Sequence, residues 1–83
     1  MPASPEVILY SRQGCHLCDV VKASLRKLQR RADFQWREVD IDTDPDLLQQ
    51  FNEEVPVVFI AGRKAFKYTM DENEFLQRLR ARS

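Results

Sequence analysis

Hydrophobic positions along the chain alternate between the spacing of strands and the spacing of helices. After a short Met1 to Pro5 lead, Val7-Ile8-Leu9-Tyr10 is a continuous apolar run, as expected of a strand covered on both faces. Beyond Gly14 the period changes. Leu17, Val20, Val21, Leu25 and Leu28 recur at three- and four-residue steps, with Lys22, Arg26, Lys27, Arg30 and Arg31 between them. This predicts an amphipathic helix of about four turns, with its basic residues at the C-terminal end that the helix dipole favours for cations. Phe34 to Ile41 reads as a second strand. Phe34 and Trp36 share one phase of its alternation and Val39 and Ile41 the other, so the strand carries a bulge or has two covered faces.

Asp44-Pro45 then starts a short helix, with Asp44 as N-cap and Pro45 at its first position. Leu47, Leu48 and Phe51 supply its apolar face. Val57-Val58-Phe59-Ile60 is another buried-strand run, and Ala61-Gly62-Arg63-Lys64 fits a hairpin connection. The next strand, about Lys64 to Tyr68, is polar enough for a sheet edge. Asp71 and Glu74 form a capping-box-like start for a last helix lined by Phe75, Leu76 and Leu79. The order βαβαββα makes the first two strands parallel through a right-handed crossover and the last two an antiparallel hairpin. The expected architecture is α/β, a four-stranded mixed sheet flanked by three helices, in a single domain spanning residues 1–83.

Composition narrows the function. The 83 residues carry 13 basic and 13 acidic side chains, a formal net charge of zero, so no net field attracts the phosphates of nucleic acid. No apolar run approaches the roughly 20 residues of a membrane span, and the N-terminus does not read as a signal peptide. Two cysteines are too few for a disulfide-stapled secreted scaffold. The expectation is a small cytoplasmic monomer whose two thiols have a job other than stapling.

Those thiols stand in Cys15-His16-Leu17-Cys18, after a buried strand and at the opening of an amphipathic helix. A helix N-terminus offers unsatisfied N–H groups and the positive end of the dipole, both of which favour thiolate. Cys18, one turn further in, can reach back to Cys15. Cys15 is therefore the expected nucleophile, titrating below the roughly 8.5 of free cysteine, and Cys18 the expected resolving thiol. Arg12, three residues before Cys15, would add positive charge near the thiolate. His16, in the first turn, is a weaker tuning candidate because the dipole opposes its protonation. The rival chemistry is metal: a structural zinc site wants four ligands and the chain has no further Cys or His. A non-catalytic module that binds a metal or iron–sulfur cluster shared between chains stays open as an alternative. Within one chain no metal site is expected.

Val55-Pro56 precedes the buried Val57 to Ile60 run. Proline lacks an N–H and suits a strand entry. A cis bond there could turn the Val55 backbone outward toward an extended substrate; an ordinary trans proline closing the preceding helix is equally consistent with the residues. Trp36 reads as packing or as an edge residue, the basic run of the first helix as a solvated face, and Asp42 and Asp44 as loop and capping residues.

Taken together, Tyr10-Ser11-Arg12-Gln13-Gly14-Cys15-His16-Leu17-Cys18 resembles the active-site segment of glutaredoxins. Val55-Pro56-Val57-Val58-Phe59-Ile60 is similar to that family's cis-proline segment, and Asp40-Ile41-Asp42-Thr43-Asp44-Pro45 to the stretch before its second helix. The resemblance implies a minimal thioredoxin/glutaredoxin fold, a cis Pro56, and thiol–disulfide exchange through Cys15 and Cys18. It makes Arg12, Val55, Pro56 and Asp71 candidate substrate contacts, and implies a protein or low-molecular-weight disulfide as substrate and glutathione or a reductase as electron donor, with no bound cofactor. The chain departs from the family at two places. His16-Leu17 replaces the usual Pro-Tyr between the cysteines. Tyr68-Thr69-Met70 precedes Asp71 where the family has a Gly-Gly pair, and side chains there would fill the groove in which glutathione docks.

Overall fold

The computed structural model describes residues 5–82; the Met1 to Ser4 part of the lead lies outside them. Strands β1 (Glu6–Ser11), β2 (Gln35–Asp40), β3 (Val57–Ile60) and β4 (Arg63–Lys67) alternate with helices α1 (His16–Leu28), α2 (Pro45–Phe51) and α3 (Glu72–Arg82) in the order βαβαββα. They form one four-stranded sheet in the order β2-β1-β3-β4. β2 lies parallel to β1, from Glu6↔Gln35 to Ser11↔Asp40. β3 lies antiparallel to β1 and to β4. A short 3-10 turn, Ile41–Thr43, joins β2 to α2; sequence periodicity gave no sign of it.

Each face of the sheet buries its own cluster. Val7, Leu9, Val58 and Ile60 pack with Val21, Leu25 and Leu28 of α1 and Phe75, Leu76 and Leu79 of α3. Ile41, Phe51 and Val57 form the other cluster, with Leu47, Leu48 and Phe59 against it. This explains the phase switch in β2. Its pairing with β1 runs without a bulge; Phe34 and Trp36 join the α1/α3 cluster and Ile41 the α2 cluster. Trp36 is half-buried, and its Nε1 donates to Gln29 Oε1 at 3.0 Å.

The first helix differs from expectation on two residues. Its buried positions are Cys18, Val21, Leu25 and Leu28. Leu17 and Val20 are 44% and 49% exposed. Both obey helical spacing, but on a stripe rotated away from the one that meets the sheet.

The connections are fixed locally. Asp44 caps α2, its Oδ1 accepting from Asp46 N–H at 2.9 Å. At the β3–β4 hairpin both Ala61 (φ 53°) and Gly62 (φ 80°) are left-handed, the arrangement that matches strand twist. Edge strand β4 carries Lys64 and Lys67, which guard it against further pairing. Lys64 pairs with Glu54.

Candidate active site

One end of the sheet collects the residues with chemistry. β1 runs out at Ser11, and Gly14, at φ 76°, turns the chain into Cys15; an L side chain would strain that turn. Cys15 is the N-cap of α1, extended at φ −92° and ψ 107°, and its Sγ accepts a hydrogen bond from Cys18 N–H at 3.1 Å. Cys15 is half-buried, whereas Cys18 is 1% exposed on the stripe that packs against the sheet. The two are joined by a disulfide with their Cα atoms 5.2 Å apart. Helix geometry thus gives them unequal access: solvent meets Cys15 first.

Pro56 belongs to the same end. Continuing the β1–β3 register beyond Tyr10↔Val57 sets Pro56 beside Ser11, and the β3–β4 register beyond Val57↔Lys67 sets Tyr68 beside Pro56. Tyr68 N–H donates to Pro56 C=O at 2.8 Å. The Val55–Pro56 peptide bond is cis, Val55 is half-buried and Pro56 fully buried.

Arg12 makes its hydrogen bonds away from the sulfurs. Its guanidinium donates to Asp42 Oδ1 at 2.7 Å and Oδ2 at 3.4 Å, and to Asn52 O and Oδ1 at 3.0 and 3.1 Å. It thereby ties the residue after β1 to the 3-10 turn before α2 and to the C-cap of α2. The Asp42 hydrogen bond raises Arg12 above the ordinary guanidinium value and holds the Asp42 carboxyl below its own. Asp42, expected only as a loop residue, and Asn52 are the partners that the sequence did not disclose; a 30- and a 40-residue separation hide them. His16 is exposed at the first position of α1. Asp71 is exposed and accepts from Glu74 N–H at 2.9 Å, which caps α3. The structure therefore groups Cys15, Cys18 and Pro56 at one sheet end, with Asp71 three residues past Tyr68.

Behind the disulfide, on the β2 side of α1, lies a charged cluster. Ser11, 2% exposed, donates to Glu38 Oε2 at 2.6 Å, and Lys22 Nζ pairs with the same oxygen at 3.0 Å. Partial burial raises the Glu38 carboxyl, but the Ser11 hydroxyl and the Lys22 ammonium outweigh it and hold the group below its ordinary value. A polar recess of about 490 Å³ opens there, lined among others by Gln13, Asp19, Lys22, Glu38 and Asp40.

Residues 6–80 match the glutaredoxin-like domain (DUF836). The chain belongs to this glutaredoxin-like family. An uncharacterized protein of Mycobacterium tuberculosis is 33% identical over 82 residues, covering 93% of this chain and 80% of its own. A solution NMR structure of a protein from Nitrosomonas europaea shares 31% identity, covers 95% of each chain and superposes with a TM-score of 0.82. Desulfothioredoxin from Desulfovibrio vulgaris Hildenborough, in its reduced form, is 27% identical with a TM-score of 0.67, over 94% of this chain and 80% of that one. The fold of this glutaredoxin-like chain is thus thioredoxin-like, and a bonded Cys-x-x-Cys pair on such a fold points to redox function. Among the described residues no helix is long and apolar enough to cross a membrane.

Proposed function

We propose that this chain is a thiol–disulfide oxidoreductase that reduces protein or low-molecular-weight disulfides. The observation that carries the reading is the inequality of the two sulfurs, Cys15 half-buried at the helix cap and Cys18 enclosed one turn behind it. In the dithiol form, Cys15 thiolate attacks one substrate sulfur. A new S–S bond forms to Cys15 and the other substrate sulfur leaves as a thiolate, which takes a proton from solvent. Cys18, once deprotonated, then attacks Cys15 Sγ, expels the second substrate thiol and closes the Cys15–Cys18 disulfide. Two electrons pass from the protein dithiol to the substrate disulfide. A second thiol donor, glutathione or the dithiol of a reductase, returns them.

The backbone N–H of Cys18 supports the first step, because a donor at 3.1 Å from Sγ stabilises negative charge there. The start of α1 adds the positive end of its dipole. Cytoplasmic residence favours reduction over oxidation as the working direction. Val55, Pro56 and Asp71 are proposed substrate contacts and His16 a tuning residue: Val55 and Pro56 enter β3 beside Ser11, His16 adjoins Cys15, and Asp71 follows the Tyr68 turn. Arg12 is proposed to act through the loop it fastens.

Turnover of a disulfide with Cys15→Ser and Cys18→Ser tests the assignment. Loss of turnover in the first, and a covalent substrate adduct visible by mass in the second, are expected. Undiminished turnover in both would overturn the reading. So would a metal or iron–sulfur cluster copurifying at about half an equivalent per chain, which would favour a shared binding site. Running the assay with glutathione and with a dithiol reductase in parallel identifies the donor.

A further inference from the structure

Among the described residues, the large hydrophobic side chains that stand exposed are Leu17 at 44%, Val20 at 49% and Tyr68 at 44%. All three gather at the disulfide end of the sheet. Leu17 sits between the cysteines. Val20 shares its helical line with Ser24 and Lys27, four and seven residues on. Those two reach Glu72 at the start of α3, Lys27 Nζ at 3.1 Å. This side of α1 therefore faces the segment that enters α3, and Tyr68 begins that segment beside Pro56. The opposite side of α1 carries the polar recess around Asp19, Lys22 and Glu38. The disulfide thus has one charged flank and one apolar flank.

Tyr68 is held on the apolar flank against its own backbone preference. Its φ is 69°, a left-handed value that a bulky L residue adopts only under constraint. Thr69 N–H donates to Lys67 C=O at 2.8 Å across it, closing a three-residue turn of a rare and strained kind. The Tyr68 N–H bond to Pro56 pins the same turn to β3. Glycine meets such a requirement without strain, as Gly14 and Gly62 do elsewhere in this chain. An aromatic ring here, 44% exposed and with the Lys67 ammonium 5.5 Å from its centre, belongs to neither of the two buried clusters of the sheet. Strain kept at a site edge points to a use for the side chain.

We infer that Tyr68 is a specificity residue which, with Leu17 and Val20, selects disulfides flanked by apolar residues in a polypeptide over those flanked by polar ones. The inference rests on the oxidoreductase reading and names its substrate class. A sulfur within bonding distance of Cys15 carries its neighbouring residues onto Leu17 and the Tyr68 turn. Apolar neighbours lose water there against the Leu17, Val20 and Tyr68 side chains, whereas polar neighbours give up water against the same side chains with less return.

Two peptide disulfides of equal length test this, one with Leu and Phe beside the cysteine and the other with Ser and Glu. The unaltered chain is expected to favour the apolar peptide about tenfold in kcat/KM, the discrimination one apolar contact provides. Tyr68→Gly relieves the backbone strain, so it should melt no lower than the unaltered chain while the preference falls to within about twofold. Tyr68→Phe should retain the preference. An unaltered chain without preference, or a Tyr68→Gly variant that keeps it, would overturn the inference and leave the oxidoreductase reading standing. A lower melting temperature with equal losses on both peptides would assign Tyr68 to the fold alone. Failure of the unaltered chain to reduce either peptide would overturn the oxidoreductase reading, and this inference with it.

Discussion

The backbone N–H of Cys18 points at the sulfur of Cys15 from 3.1 Å, so the enclosed cysteine contributes its peptide group to the accessible one. Oxidation state aside, the two thiols occupy different surroundings, one at a cap and one under a helix.

In the reduced protein this asymmetry predicts ordered alkylation. Iodoacetamide should modify Cys15 at least about tenfold faster than Cys18, because the thiolate reacts and only Cys15 is accessible. Mass spectrometry of timed samples after proteolysis reads the order. Equal rates would contradict the asymmetry.

The Arg12–Asp42 pair predicts a pH-dependent coupling. The Arg12 hydrogen bond holds the folded Asp42 carboxyl below its ordinary value, so the pair's contribution is complete above the unfolded carboxyl value. It is lost as pH falls through the lowered folded value, while Arg12 stays charged throughout. A double-mutant cycle with Arg12→Ala and Asp42→Ala, measured by urea unfolding, should show coupling at neutral pH that shrinks below about pH 4. Equal coupling at both pH values would refute it.

Ser11 and Glu38 predict an order of stabilities. Ser11→Ala removes a hydroxyl that is 2% exposed and bonded at 2.6 Å, a loss of about 1 kcal/mol. Glu38→Gln keeps an acceptor for Ser11 and gives up a charge that is partly screened by water, so it should cost less than about 1 kcal/mol at neutral pH. Its cost should fade as pH drops through the lowered Glu38 value. Urea midpoints compare the two, and the reverse order would be a failure.

Two leucines on one helix separate burial from residue type. Leu25 is 0% exposed and Leu17 is 44% exposed. Leu25→Ala should cost about 2–5 kcal/mol, and Leu17→Ala within about 0.5 kcal/mol. Chemical denaturation decides, and similar losses would show that the Leu17 stripe is packed after all.

Wherever local spacing decides the outcome, the fold was legible. The strand runs at Val7 and Val57, the Asp44-Pro45 helix start and the Asp71 to Glu74 cap all took the positions that their chemistry prescribes. The helix of Leu17 to Leu28 was harder, because two stripes at helical spacing overlap and only tertiary contact selects the one through Cys18, Val21 and Leu25. The phase switch in β2 needed knowledge of what covers each face. At the site, a cysteine pair opening a helix could be read directly, whereas the bonds of Arg12 to Asp42 and Asn52 and the left-handed backbone of Tyr68 depend on segments far apart in sequence meeting in space.

Asp40, Ser11, Pro56 and Tyr68 stand in one row across the end of the sheet, each brought there by a different strand or by the residue adjoining it. No short fragment contains this row, because its members are spread over most of the chain and meet only when every strand has paired. The disulfide turnover proposed for this glutaredoxin-like chain would therefore double as a reporter of cooperative folding. Its denaturation curve should superimpose on that of the far-ultraviolet circular dichroism, with no active species outlasting the closed sheet.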